Sequence, residues 1–181
     1  MKTPLIRLVG LATCCLTASA AAQSRTGDPT VSDALRSVAQ RAARDLVEAA
    51  EEMPAGKYGF KPTPAQMSFG DVVAHLSGGN DYLCSTISGM AAPKRPEVKG
   101  TAGKPKLVSA LKESFQFCET ALAKVDDSKL DEQLPFFGER KLSRAAIMFA
   151  TAQDWADHYS QAAIYLRLNG LLPPTAKRKE E

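Results

Sequence analysis

Histidine occurs only twice in the 181 residues, and one of the two, His158, follows Asp154 by four positions in a helix-like stretch spanning residues 143–170. At ~100° of rotation per residue, positions 154 and 158 share a face, so a carboxylate and an imidazole point the same way about one turn apart. The arc holding His158 is also lined by Ile147, Trp155, Ala162, Tyr165 and Leu166, with Asp154 at its edge. Both groups are therefore expected to look toward the core. Polar side chains there cost free energy unless something satisfies them, and a divalent cation would do so if His75 arrived from a second helix. The same Asp-x-x-x-His pair is also consistent with a plain polar contact along one helix.

Other chemistries lack their residues. No Glu-x-x-His occurs, which argues against a ferritin-like di-iron centre, and no His-Glu-x-x-His zincin helix exists. Ser68 and Ser143 read as helix caps rather than nucleophiles. Trp155, Tyr159 and Tyr165 form an aromatic stripe at helical spacing whose expected role is packing. Tyr159 or Tyr82 could border an open metal position and donate a proton. Asp71, one turn before His75, is a candidate to orient that imidazole, while Asp157 faces away by helical rotation.

Four helical stretches must position these groups. The first covers residues 32–53, with Leu35, Val38, Ala42, Leu46, Ala49 and Met53 at three- and four-residue steps before Pro54 and Gly56 end it. Residues 57–67 carry Pro62 and Pro64 and read as an extended connector. Ser68, with Asp71 three residues on, caps a second helix to about residue 90, weakened by Gly78, Gly79 and Gly89. A Pro-, Gly- and Lys-rich linker, 92–104, precedes a third helix at 105–125, and a second long connector, 126–142, holds Leu134, Phe136 and Phe137 before Gly138. The fourth helix, 143–169, stops at Asn169-Gly170 and Pro173-Pro174.

Almost no strand signal remains, so the fold class is all-α, a four-helix bundle. Long connectors after helices two and three permit an up-down-down-up arrangement with those two helices parallel. Cys84 and Cys118 lie at similar distances from the ends of their helices, the level match a parallel pair needs; an antiparallel pair would offset them by roughly 10 Å.

The first two dozen residues differ in kind. Met1, Lys2 and Arg7 give a positive start, residues 8–18 are apolar or small, and Ala18-Ser19-Ala20-Ala21-Ala22 offers small-x-small cleavage sites. Residues 1–22 read as a signal peptide, 23–31 as a flexible leader, 32–174 as the bundle and 175–181 as a charged tail. Export to a periplasm or the exterior follows as the expectation, with no transmembrane helix in the mature chain. Thr13 before Cys14 disfavours lipidation at the Cys14-Cys15 pair. In an oxidising compartment Cys84 and Cys118 are expected to pair as a disulfide; the alternative is two separate small buried residues. A net charge of +3, with 23 basic and 20 acidic residues interspersed, gives no nucleic-acid footprint.

The run Asp154-Trp155-Ala156-Asp157-His158-Tyr159-Ser160-Gln161, continuing through Tyr165-Leu166-Arg167-Leu168-Asn169-Gly170 to Pro173-Pro174, resembles the last helix of the DinB-like family of metal-binding four-helix bundles. Tyr58-Gly59-Phe60-Lys61-Pro62-Thr63-Pro64, followed by Met67-Ser68-Phe69-Gly70-Asp71-Val72-Val73-Ala74-His75-Leu76, is similar to its first connector and second helix. The similarity spans about residues 33–174. It implies a divalent metal held by one residue of helix two and two residues, four apart, of helix four: His75, Asp154 and His158. The family commonly has histidine where this chain has Asp154, and a tryptophan where it has Met67. A two-nitrogen, one-oxygen set suits zinc or nickel first, then manganese or iron.

The resemblance further implies a metal-dependent hydrolase or thiol S-transferase acting on a small molecule that no residue identifies. The competing expectation is a non-enzymatic exported bundle, a binding or stress module with a vestigial site. A homodimer formed through a helix face is compatible with both.

Overall fold

The computed structural model describes residues 29–178; the expected signal peptide lies outside the described residues. Four long helices form, α1 (Val31–Glu52), α2 (Phe69–Ser88), α3 (Lys104–Leu122) and α4 (Arg144–Leu168), each within a few residues of its expected span. Their starts are chemically marked. Thr30 and Asp33 make a reciprocal capping box at α1, Ser68 and Asp71 make another at α2, and the Ser143 hydroxyl accepts from the Ala146 amide at α4. Each satisfies amide groups that the first helical turn leaves without partners.

Contacts between the helices give an up-down-down-up bundle. Arg36, at the start of α1, donates to the Leu122 and Val125 carbonyls at the end of α3 (3.1 and 2.8 Å). Lys104, at the start of α3, donates to the Met53 carbonyl just past α1 (2.9 Å). Each helix thus supplies a cation to the exposed carbonyls and negative dipole end of the other, which requires them to be antiparallel.

Helices α2 and α3 run parallel: Asn80 bonds Ser114 (3.0 Å), and one turn further along both helices Cys84 is joined to Cys118 by a disulfide, with Cα atoms 5.2 Å apart. A parallel pair forces the intervening chain back to where α2 began. Residues 89–103 make that return, passing so close to α2 that a Cβ on Gly70 would sit 2.2 Å from the Gly100 carbonyl oxygen. Arg95 anchors the crossing by pairing with Asp81 of α2 and Glu113 of α3. Helix α4 is antiparallel to α2, through Trp155 Nε1 to Asn80 Oδ1 (2.7 Å) and Tyr165 OH to the Met67 carbonyl (2.8 Å).

Helices α1 and α2 lie on one diagonal, each packed on α3 and α4. Trp155, Tyr165, Phe69, Leu107, Leu111 and Ile147 fill the space between. Asn80 is buried among them and keeps its amide satisfied on both sides, with its nitrogen on Ser114 and its oxygen on Trp155. An unpaired amide at that depth would cost about 1–3 kcal/mol.

Two parts differ from expectation. The 126–142 connector carries a hairpin, β1 (Gln133–Pro135) with β2 (Lys141–Ser143), paired Leu134 to Leu142. Three-residue strands are too short to show an alternating pattern. At its tip Phe137 takes a left-handed φ of 31°, and its amide donates to the Tyr82 hydroxyl (2.9 Å). Beyond α4, residues expected as a tail form a short helix α5 (Pro174–Lys177), held on α1 by Lys177 to Glu52 and by Arg178 to Asp45 and Glu48. Among the described residues no helix is long and apolar enough to cross a membrane.

Two consequences can be measured. The Cys84–Cys118 bridge spans a sequence separation of 34 residues, for which chain entropy gives about 3–4 kcal/mol; a Cys118→Ser variant should lose stability of that order in denaturant titration, and the unreduced protein should weigh two hydrogens less than the reduced one. Gly78 lies mid-helix and a Cβ there would meet nothing within 4 Å. Gly78→Ala should therefore raise stability by about 0.5–1 kcal/mol, the helical penalty of glycine.

Candidate metal centre

The capping box fixes where α2 begins and the Asn80–Trp155 bond fixes its register on α4. His75 lies five residues before Asn80, and His158 three residues beyond Trp155 on the antiparallel partner. The two imidazoles therefore meet across the α2/α4 groove, their ring centroids 4.8 Å apart. Asp154 stands between them, with Oδ1 3.4 Å from His158 Nε2 and 3.9 Å from His75 Nε2. One ligand atom from each residue lies within 4.8 Å of the others.

Zinc with ligands at about 2.1 Å and tetrahedral angles needs those atoms about 3.4 Å apart. The Asp154–His158 pair already has that spacing. His75 must close by roughly 1 Å, and its side chain, 49% exposed, is free to do so. The donor set and its spacing fit a divalent cation.

The site is not where the sequence suggested. It opens at the rim of the groove rather than facing the core: the Asp154 side chain is 29% exposed and that of His158 16%. A helical arc fixes only which residues share a face. Here the inner face of α4 is occupied by Trp155, Ile147 and Leu166, leaving Asp154 and His158 at the boundary. One turn beyond His75 on the same face of α2 stand Gly78 and Gly79, where a Cβ would meet nothing within 4 Å.

The expected helpers are engaged elsewhere. Asp71 is the third residue of α2, and its Oδ2 turns back to the amide and hydroxyl of Ser68 (3.2 and 2.6 Å) instead of orienting His75. The Tyr159 hydroxyl donates to Thr175 (2.8 Å) and accepts from its amide, while that of Tyr82 holds the hairpin tip. Asp157 is exposed, as helical rotation requires.

Sequence reasoning missed Gln161. Its Oε1 lies 3.1 Å from His158 Nδ1, and its amide nitrogen donates to the Tyr165 hydroxyl (3.0 Å). The signal was present, since position 161 is three residues past 158 on one helix face.

Electrostatics tie His158 to Asp154. The carboxylate beside it raises the imidazole's pKa above its ordinary value, Gln161 adds to the effect, and partial burial opposes it. In the metal-free protein this contact stabilises the fold fully below the ordinary imidazole pKa, about 6.5. The contribution is lost as pH rises through the elevated folded-state value.

The sequence pattern of the DinB superfamily matches residues 39–162, a span that includes all three residues. Among solved structures, a DinB-like protein from Bacillus subtilis aligns with a TM-score of 0.62 at 19% identity, over 76% of this chain and 92% of its own. A DinB-like protein from Bacillus cereus gives 0.64 at 14% identity, over 77% and 93%. A conserved protein from Enterococcus faecalis gives 0.61 at 16% identity, over 75% and 95%. At these identities the likeness is one of fold. No curated protein matches the chain.

Replacing Asp154 by asparagine should bring the His158 titration, followed by NMR on the metal-free protein, down toward the ordinary imidazole value. It should also flatten the dependence of stability on pH in that range.

Proposed function

We propose that this chain, which belongs to the DinB superfamily, is an exported metal-dependent hydrolase or transferase that holds one divalent cation between His75, Asp154 and His158. The convergence of two imidazoles and a carboxylate from two helices on one point supports this reading. The donors suit zinc or nickel before manganese or iron. A cation held there would supply Lewis acidity toward a substrate carbonyl or a bound water.

The protein's own contribution is positional. Asp154 and His158 are fixed on one helix turn, His75 closes from α2, and Gly78 and Gly79, one turn beyond His75, add no side chains to that face of α2. A small molecule reaching the open side would meet the three ligands without displacing packed core. Export is supported by the positive, apolar and small-residue order of residues 1–22. The disulfide between Cys84 and Cys118 suits an oxidising compartment.

A non-enzymatic binding module is favoured by one observation: Asp71, expected to orient His75, and Tyr82 and Tyr159, expected as proton donors, are all engaged away from the triad. Metal binding serves both readings, and turnover of ester, amide or thiol substrates by the metal-loaded protein separates them.

Elemental analysis of the purified protein should find close to one divalent cation per chain, lost in His75→Ala and in His158→Ala. Chelation should lower the thermal midpoint of the wild type alone. The shift should correspond to about 2.7 kcal/mol when free metal stands at 100 times Kd. Equal metal content in the three proteins would end the reading.

A further inference from the structure

The hydrogen bonds behind His158 run in one direction only, and that direction is set by a backbone atom. The Met67 carbonyl can accept but never donate, so the single hydroxyl hydrogen of Tyr165 is committed to it at 2.8 Å. The Tyr165 oxygen must then receive its other partner as an acceptor, and the Gln161 atom 3.0 Å away is the amide nitrogen. That orientation turns the Gln161 oxygen toward His158 Nδ1, 3.1 Å away, where it can only accept.

We infer that Gln161 and Tyr165 are positioning residues that hold the proton of neutral His158 on Nδ1 and leave the Nε2 lone pair bare toward Asp154 and His75. The opposite tautomer would turn an N–H toward the Asp154 carboxylate, 3.4 Å away, but would require Gln161 to present its amide nitrogen to His158 and its oxygen to Tyr165. The Tyr165 hydrogen would then be drawn away from the Met67 carbonyl. Tyr165 is buried in the core and its ring lies 5.8 Å from that of Phe60 and 6.4 Å from that of Phe69, so the hydroxyl has no freedom to seek another partner.

The chain of bonds therefore links the residue just before the α2 cap to a ligand on α4, across the same helix pair that carries His75. Its value for metal binding rests on the proposed cation site. Imidazoles that ligate metals commonly donate their second ring N–H to an oxygen, and losing such a partner costs 10- to 100-fold in affinity.

The tautomer is observable without metal. In 15N NMR of the chelated protein, above the imidazole titration and with His75→Gln to assign the signals, His158 should show a protonated Nδ1 and an unprotonated Nε2. Tyr165→Phe keeps the packed ring and removes the anchor; it should shift His158 toward the Nε2–H form and weaken Zn2+ affinity 10- to 100-fold. Gln161→Leu should do the same, while Gln161→Glu combined with Tyr165→Phe, which keeps an acceptor for Nδ1 and sets no carboxylate oxygen against the Tyr165 hydroxyl, should restore the Nδ1–H form.

An Nε2–H tautomer in the wild type overturns the inference. So does a Tyr165→Phe or Gln161→Leu protein, folded by circular dichroism, whose tautomer is unchanged. A wild type with the Nδ1–H tautomer and no Zn2+ binding would support the positioning role and sink the metal reading, so the two are told apart.

Discussion

The bond between the Trp155 indole and the Asn80 side chain sets the register on which the rest of the bundle depends. Asn80 is nearly inaccessible to water, so an unmatched amide there would be expensive and sliding α4 along α2 by one turn is strongly opposed. The same amide reaches Ser114 on α3, so one side chain locks three helices against one another. The meeting of His75 with Asp154 and His158 follows from that lock. Five residues back on one helix and three forward on its antiparallel partner bring the two imidazoles to within about 3 Å of one level, at about 1.5 Å of rise per residue.

Much of this was legible in the chain. The four helices follow from apolar steps of three and four residues and from caps such as Ser68 with Asp71, because both are local properties. The parallel pairing of α2 and α3 was legible in the length of the 89–103 crossing and in the matched levels of the two cysteines. What was not legible depends on residues far apart in sequence. A helical wheel places Asp154 and His158 on one side of α4, but only the position of α2 decides that this side is a rim and not a centre. The docking of α5 depends on Asp45, Glu48 and Glu52, all on α1 and more than a hundred residues away. The hairpin is too short to announce itself.

A site at the rim has a different character from one in the core. Asp154 and His158 keep some contact with water, so the metal-free state does not have to carry a fully desolvated carboxylate beside an imidazole. The side facing the protein is nonetheless ordered, since His158 is backed by Gln161, Tyr165 and a main-chain carbonyl. The groove thus combines one rigid wall, on α4, with one adjustable arm, His75 on α2.

The bridge between α2 and α3 encloses the whole returning segment, residues 89–103. A protease that cut this exposed, proline-containing strap would separate the chain in sequence but release nothing, because both halves would stay covalently joined through sulfur. The nicked molecule would keep its helices at the same level, with Asn80 still beside Ser114, and only a reductant would then let the two pieces part.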